Sequence, residues 1–224
     1  MEKRVNLALI ASGGGTDARA IMKAYEDYKI PNVCLKILIS TNPQANCLRR
    51  AQDLGFKTEV VDRQALGREG FEEKLRFILD RENVKLVFLV GCIVKIPLIS
   101  GVVFKNIHPA DTVLTGGKGM YGLEPHKKVF LDIKKRITEG TASINDKFYT
   151  HPTVHNVDEE FDTGQSMLRL SIEIPSSVVK LFIKDENSLD TCVGILQQRV
   201  LRYEWLMLPL AVEIAAQQIL DNRE

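Results

Sequence analysis

The chain has 224 residues, with 30 Lys+Arg against 29 Asp+Glu, a net charge of +1. No charge excess therefore points to nucleic acid or an anionic membrane surface. An apolar share of 45% with 26% charged residues is the ordinary globular mix, which excludes disorder and a collagenous fibre, and no apolar run approaches the roughly 18–20 residues that cross a bilayer.

The first half alternates short apolar runs with helical patterns. Val5–Ala11 is a continuous apolar run, as in a strand covered on both faces. Basic residues precede it, but it ends in glycines that belong to a motif, so it reads as a buried first strand rather than a signal peptide. Thr16–Lys29 has apolar residues at helical spacing, Val33–Ile39 is β-branched and apolar, and Ala45–Leu54 is helical with Gly55 fitting its C-cap. Lys57–Val61 reads as a short strand, Glu69–Glu82 as a helix and Lys85–Val90 as an apolar strand; a short segment, Lys95–Ile99, precedes the strand Val102–Ile107. This β-α-β-α order predicts an α/β fold with a doubly wound, mostly parallel, Rossmann-like sheet and helices on both faces.

The second half changes character. Pro109–Gly122 carries four glycines and no periodicity and reads as a loop. Leu123–Glu139 is an amphipathic basic helix whose Lys127–Arg136 stretch is a solvated face. Thr141–Asn156 reads as strands broken by His151-Pro152, and Met167–Glu173 alternates like one strand. Ser188–Asn222 reads as one or two helices, with Pro209 as a kink or break. With no repeat, low-complexity tract or linker, the expectation is one domain over 1–224 with a β-rich C-terminal half. Cys34, Cys47, Cys92 and Cys192 are scattered and form no C-x-x-C pair, which predicts reduced thiols and a cytoplasmic location.

Two constellations have a chemical rationale. Ser12-Gly13-Gly14-Gly15-Thr16-Asp17 lies between a predicted strand and helix. Free N–H groups and the positive end of the helix dipole bind anions there, and glycines let the backbone approach closely. The bland reading is a tight turn capped by Thr16 or Asp17. The spacing is neither G-x-G-x-x-G nor a P-loop, and no acidic residue is placed for a ribose after the second strand. Asn106-Ile107-His108-Pro109 ends a predicted strand, where α/β sheets place ligands. Residues i and i+2 point to one side, so Asn106 and His108 face one cleft, unless they are merely a capping Asn and a structural His. An Asn amide can donate to a developing oxyanion, and an imidazole can carry a proton near neutral pH.

Asp162-Thr163-Gly164 occurs once. An aspartic-protease reading needs two such carboxylates and is rejected; the ordinary reading is a turn before a strand. His151 and His155 are four apart, but Pro152 and the β-branched Thr153 and Val154 argue for strand, and no third ligand lies nearby, so no metal is expected.

Taken together, ASGGGTDARAI, NIHPAD, GGKGMYGLEPH and TVHNVDEEFDTGQSML resemble the phosphoribosylglycinamide formyltransferase family of the folate-dependent formyltransferase superfamily, from about Val5 to Pro209. The resemblance implies a formyltransferase-like fold, with a phosphate-binding half (1–105) and a catalytic and folate-binding half (106–224). It implies formyl transfer from 10-formyltetrahydrofolate, as cosubstrate, to the primary amine of glycinamide ribonucleotide in purine biosynthesis, without metal or nucleic acid, by a monomer or homodimer. Asn106, His108 and Asp162 would be the catalytic trio: His108 manages the proton of the attacking amine, Asn106 stabilises the tetrahedral oxyanion, and Asp162 orients and supports His108. Gly13, Gly14, Gly15, Thr16, Asp17 and Pro109 would hold the phosphate-bearing substrate, with Glu204 on the ribose hydroxyls. Cys92, Ile93, Val94, Lys95, Ile96, Val157 and Asp158 would line the folate pocket. Thr153 and His155 match a strand bordering the active site, and His126 a loop histidine.

The chain also departs from the family. Asp17 stands where the family usually has Asn, Val94 and Lys95 stand where it has Arg, and Thr141–His151 looks longer, as if a hairpin were inserted. Asp17 leaves open a different amine acceptor, such as an amino-sugar nucleotide. A formyltetrahydrofolate hydrolase usually carries an extra N-terminal regulatory domain, which 224 residues do not accommodate; a non-catalytic phosphometabolite- or folate-binding protein is the remaining alternative, and the three filled catalytic positions argue against it.

Overall fold

The computed structural model describes residues 4–222; residues 1–3, which include part of the basic opening, lie outside it. Five strands come from the first half: β1 Val5–Ala11, β2 Val33–Ser40, β3 Thr58–Val60, β4 Leu86–Leu89 and β5 Val103–His108. Four short ones follow: β6 Phe148–Thr150, β7 Thr153–Asn156, β8 Ser166–Arg169 and β9 Ile172–Ile174. The centre of the molecule is a seven-stranded sheet of order β3-β2-β1-β4-β5-β7-β8. The first five strands pair in parallel, and β7 and β8 continue the sheet antiparallel from β5.

The apolar run of β1, in which Asn6 is the one polar residue, is explained by its position. Val5, Leu7, Leu9 and Ala11 enter one core with helices α1 (Thr16–Glu26), α2 (Asn46–Asp53) and α7 (Leu189–Asp221). Ala8 and Ile10, on the opposite face, enter a second core with α3 (Arg63–Arg81). A strand clad on both faces has no polar side to show.

Several boundaries differ from the sequence reading, each for a local reason. Helix α3 begins six residues before Glu69 because the Asp62 carboxylate accepts the N–H groups of Gln64 and Ala65. The glycine at 67 then turns the chain at φ 65°, so the expected start lies just past a break. Pro109–Gly122 is not wholly loop: Asp111 accepts the Val113 N–H at 2.9 Å and starts the short helix α4, Thr112–Thr115. The basic helix is α5, Glu124–Thr138. Pro209 does not divide the last helix, which runs unbroken over 33 residues.

Met167–Glu173 is two strands, not one. β8 stays in the main sheet, while β9 pairs antiparallel with β6 in a separate two-stranded sheet. The chain turns this corner twice, at His151-Pro152 and at Leu170-Ser171, where the Leu170 N–H donates to the Pro152 carbonyl. The longer Thr141–His151 segment is therefore a loop followed by β6, whose partner is β9, and not a self-paired hairpin. Helix α6, Ser176–Lys184, has no counterpart in the sequence reading. The four short strands of the second half thus come with more helix than expected. Helices α5, α6 and α7 enclose a third core around Phe130 and Phe182, whose rings meet edge to face at 5.5 Å.

Candidate active site

β1 is followed in sequence by β2 and β3 on one side, whereas β4 and β5 lie on its other side. The crevice at the carboxyl ends of β1 and β4 is the topological switch point, where open α/β sheets bind ligands. A cleft of ≈ 600 Å³ opens there, within the size range of small-molecule sites.

Its walls come from the segments that follow β1, β4 and β5, from the stretch after β7 and from α7. After β1, Gly14, Gly15, Thr16 and Asp17 line it. Gly15 adopts φ 74°, and a Cβ there would collide with Cys47 of α2, so only glycine fits. No side chain caps α1, which leaves its first N–H groups facing the cleft. Ser12 ties this turn to the next wall: its hydroxyl pairs with Thr41 at 2.6 Å and accepts the Ile93 N–H at 3.1 Å, while its N–H reaches the Gly91 carbonyl. Gly13 is the exception among the predicted turn residues. It does not line the cleft; its carbonyl accepts the Cys47 N–H. After β4, all five residues from Cys92 to Ile96 line the cleft, opposite Val157 and Asp158. The Cys92 thiol donates to the Val94 carbonyl, and burial pushes its pKa up, so it stays a neutral thiol.

At the end of β5, Asn106, Ile107, His108 and Pro109 all line the cleft; the side chains of Asn106 and His108 meet on one side, as the two-residue period of a strand allows, because both reach Asp162. Asp162 reaches the same place from a turn 56 residues further on. Its Oδ1 accepts an N–H of Asn106 at 3.2 Å, and its Oδ2 accepts the Gly117 N–H at 3.2 Å and lies 3.5 Å from His108 Nδ1. Two close approaches set this turn. A Cβ on Gly164 would collide with the Asn156 carbonyl, and one on Gly116 would lie 3.0 Å from the Asp162 Cβ. Asp162 itself is left-handed, φ 59°, a conformation that a short polar side chain tolerates best.

The surrounding groups set the charges. Burial works against ionisation of Asp162, but His155, His108 and the Gly117 N–H outweigh it and hold its carboxyl below the ordinary value. His108 is 2% exposed; burial lowers its pKa, and Asp162 opposes that shift. His126 lines the same cleft and is lowered to about 4, first by burial and then by His108. His155 bonds the Asn156 carbonyl through Nδ1 at 2.7 Å, so that nitrogen carries hydrogen and Nε2 accepts the second Asn106 N–H at 3.2 Å. Both amide hydrogens of Asn106 are thus held, and the side chain is oriented from two directions.

At the turn end the electrostatics are unusual. Glu204 of α7 is 3% exposed and lines the cleft, and its side chain has no hydrogen-bond or ion-pair partner among the described residues. Burial first and then Asp17 push its carboxyl well above the ordinary value; Asp17 in turn is raised to about 6 by burial, against a bond from Trp205. The cationic side chains lining the cleft, Lys95 and Lys118, belong to the other walls. His151 lies elsewhere, in a smaller cavity beside β6. No group of three or more His, Cys, Asp or Glu that could hold a metal occurs among the described residues, and no helix among them is long and apolar enough to cross a membrane.

Sequence reasoning missed Thr115, which bonds His108, and the backbone N–H of Gly117, which bonds Asp162. Both sit in a segment without periodicity, and only the glycines and the Asp111-Thr112 pair hinted at ordered structure there. It also missed Gln197 and Leu201, which join Glu204 at one-turn spacings along α7 to form the outer wall.

A mostly parallel sheet with this cleft and an Asn–His–Asp cluster in its wall defines an α/β protein with a small-molecule site. The chain belongs to the formyl transferase family, whose model matches residues 5–180. It is similar to the chloroplastic phosphoribosylglycinamide formyltransferase of Arabidopsis thaliana, 28% identical over 198 residues that cover 84% of this chain and 63% of that one. The phosphoribosylglycinamide formyltransferase of Dictyostelium discoideum is 26% identical over 183 residues, 75% of this chain and 84% of the other. The chain spans less than two thirds of the two plant relatives, 63% and 52% of their lengths. Among solved structures, the glycinamide ribonucleotide transformylase 1 of Symbiobacterium toebii superposes with a TM-score of 0.72 at 21% identity, over 97% of this chain and 90% of that one. That likeness is one of fold.

Proposed function

We propose that the protein transfers the formyl group of 10-formyltetrahydrofolate to the primary amine of glycinamide ribonucleotide, a step of purine biosynthesis. The observation that carries this reading is the meeting of Asn106, His108 and Asp162 in the wall of a cleft that holds both an uncapped helix start and an apolar stretch. The reaction needs two small molecules aligned, a donor for the oxyanion and a carrier for one proton. Alignment alone contributes roughly 7–11 kcal/mol, and an oxyanion donor about 3–4 kcal/mol.

In this reading the folate ring lies against Ile93, Val94, Ile96 and Val157 and brings a carbonyl carbon open to attack. The acceptor lies along Gly14–Asp17 with its amine towards His108. Asn106 meets the oxygen that gains charge, which takes the place of one of the amide's two present acceptors, Asp162 or His155. Asp162 stays ionised and balances His108 while the ring holds the proton. The folate and acceptor stretches come from residues on both sides of position 105, so the two halves work as one domain. All these side chains belong to a single chain, so a monomer or a homodimer suits the chemistry. Scattered free cysteines support a cytoplasmic location.

One observation favours a second reading. Two acids line the turn end of the cleft, with no cationic side chain beside them among the described residues, so an amine acceptor without a phosphate, such as an amino sugar, would meet less repulsion there. The test is a panel of primary amines with and without phosphate, each offered with 10-formyltetrahydrofolate and read by mass of the formylated product. Formylation of glycinamide ribonucleotide supports the first reading. Formylation of unphosphorylated amines alone supports the second, and no product from any amine rejects both.

A further inference from the structure

The His108 ring is held on both nitrogens, and the two partners differ in kind. Nδ1 faces the Asp162 carboxylate at 3.5 Å. Nε2 lies 2.9 Å from the hydroxyl of Thr115, the last residue of α4, which is fully buried. A threonine hydroxyl has one hydrogen. Here it points back along the turn to the Asp111 carbonyl at 2.8 Å, beside the Thr115 backbone N–H, which bonds the same oxygen at 2.8 Å. With that hydrogen committed, the hydroxyl can only accept at its other contact, so the hydrogen between it and His108 belongs to Nε2.

We propose that Thr115 is a positioning residue that fixes the tautomer of His108, keeping a hydrogen on Nε2 in both charge states and leaving Nδ1, on the Asp162 side, as the nitrogen that exchanges the proton. The step it serves rests on the formyl-transfer reading. As the amine nitrogen bonds to the formyl carbon it loses a hydrogen; the bonding pair of that N–H stays on the nitrogen and the proton forms a bond to Nδ1. When the bond from the formyl carbon to the folate nitrogen breaks, its pair leaves with the folate nitrogen, which takes the proton from Nδ1 and returns the ring to neutral. Nε2–H is unchanged throughout. In the cation, Nε2–H donates to Thr115 and Nδ1–H to Asp162; in the neutral ring only the second hydrogen is gone.

The groups facing His108 are few. Burial, first, and His155 of β7 disfavour its cation; Asp162, from the turn after β7, the Thr115 backbone and Asp111, ahead of α4, favour it. His126 of α5, itself lowered to about 4 by burial and by His108, faces it as a neutral ring. Thr115 adds a neutral acceptor that the cation needs at Nε2, since a buried N–H without a partner is costly. The fold aims this hydroxyl with care. Gly116 follows immediately, and a Cβ there would collide with the Thr112 carbonyl and press on Asp162, so the end of α4 lies against the turn that carries the carboxylate.

The experiment is long-range nitrogen–proton NMR on the ring nitrogens of the full chain labelled with ¹⁵N, with His108 assigned by loss of its signals in His108→Ala. The expected spectrum at pH 8 shows a neutral ring protonated at Nε2. In Thr115→Val the His108 titration midpoint falls by about one unit, the worth of one hydrogen bond to a cation, and the pH profile of kcat/KM moves with it. Thr115→Ser, which keeps the hydroxyl, restores both. A wild-type ring protonated at Nδ1 overturns the proposal without recourse to any variant, and so does a midpoint unmoved in a folded Thr115→Val. An Nε2–H ring in a protein that formylates no amine rejects the functional reading alone.

Discussion

Asp17 shows how one side chain can set the acceptor. It sits in the second position of α1, where a helix start attracts anions, yet it carries an acid and faces a second acid across the cleft. Burial lifts its pKa from the ordinary 3.8 to about 6. The folded protein therefore binds a proton between those two values that the unfolded chain has already released, so stability falls as pH rises from about 4 to about 6 and stays reduced above. Asp17→Asn removes that loss: thermal melts should show it more stable than wild type at pH 8 and little different at pH 4. The same substitution takes a charge from the phosphate end. KM for glycinamide ribonucleotide should fall about tenfold at pH 8, the scale of one like-charge contact near a surface, and an unchanged or higher KM would place the phosphate elsewhere. For Asn106, whose amide is the oxyanion donor of this account, Asn106→Ala should lower kcat by about 10²–10³-fold, as the loss of one such donor does elsewhere. Steady-state kinetics at saturating folate measures it.

At the scale of elements, the site is hung from strand ends and braced by helices. Phe182 of α6 meets Phe130 of α5 in the third core, away from the lining of the cleft. Phe182→Ala should cost about 3–5 kcal/mol in urea unfolding while leaving KM for both substrates near wild type; a large change in KM would mean that this core shapes the cleft directly. The elements also mark where sequence is legible. β1, β2 and β4 stand out because a strand covered on both faces is built mostly of apolar residues. Ser176–Lys184 does not: nine residues with two adjacent valines fit strand or helix equally by pattern, and its packing on α5 and α7 decides the matter. Met167–Glu173 alternates correctly along its whole length, and no local pattern says that the chain changes sheets at Leu170. Pro209 loses its power to break α7 because that helix is pinned by buried residues on both sides of it, Met207, Leu208, Ala211 and Val212 among them.

For the molecule as a whole, the arrangement that matters is the switch point. The order β3-β2-β1-β4-β5 opens one crevice, and the antiparallel β7 carries His155 and the following Asp162 turn back to its rim. Part of the site is legible in sequence for physical reasons: Asn106 and His108 share a side because strand residues alternate, and the glycine-rich turn follows a strand. Asp162 is legible through likeness to a family and not through spacing, because a contact spanning 56 residues leaves no local trace. Thr115, Gly116 and Gly117 stay hidden in a loop, since their roles depend on which atoms lie opposite. In the proposed formyl transfer to glycinamide ribonucleotide, His108 is the proton carrier. The most direct measurement is turnover of glycinamide ribonucleotide and 10-formyltetrahydrofolate by wild type and His108→Ala under saturating conditions: a fall of at least about 10²-fold in kcat, the low end for general acid–base catalysis, is predicted, and turnover near wild type in the variant would contradict it.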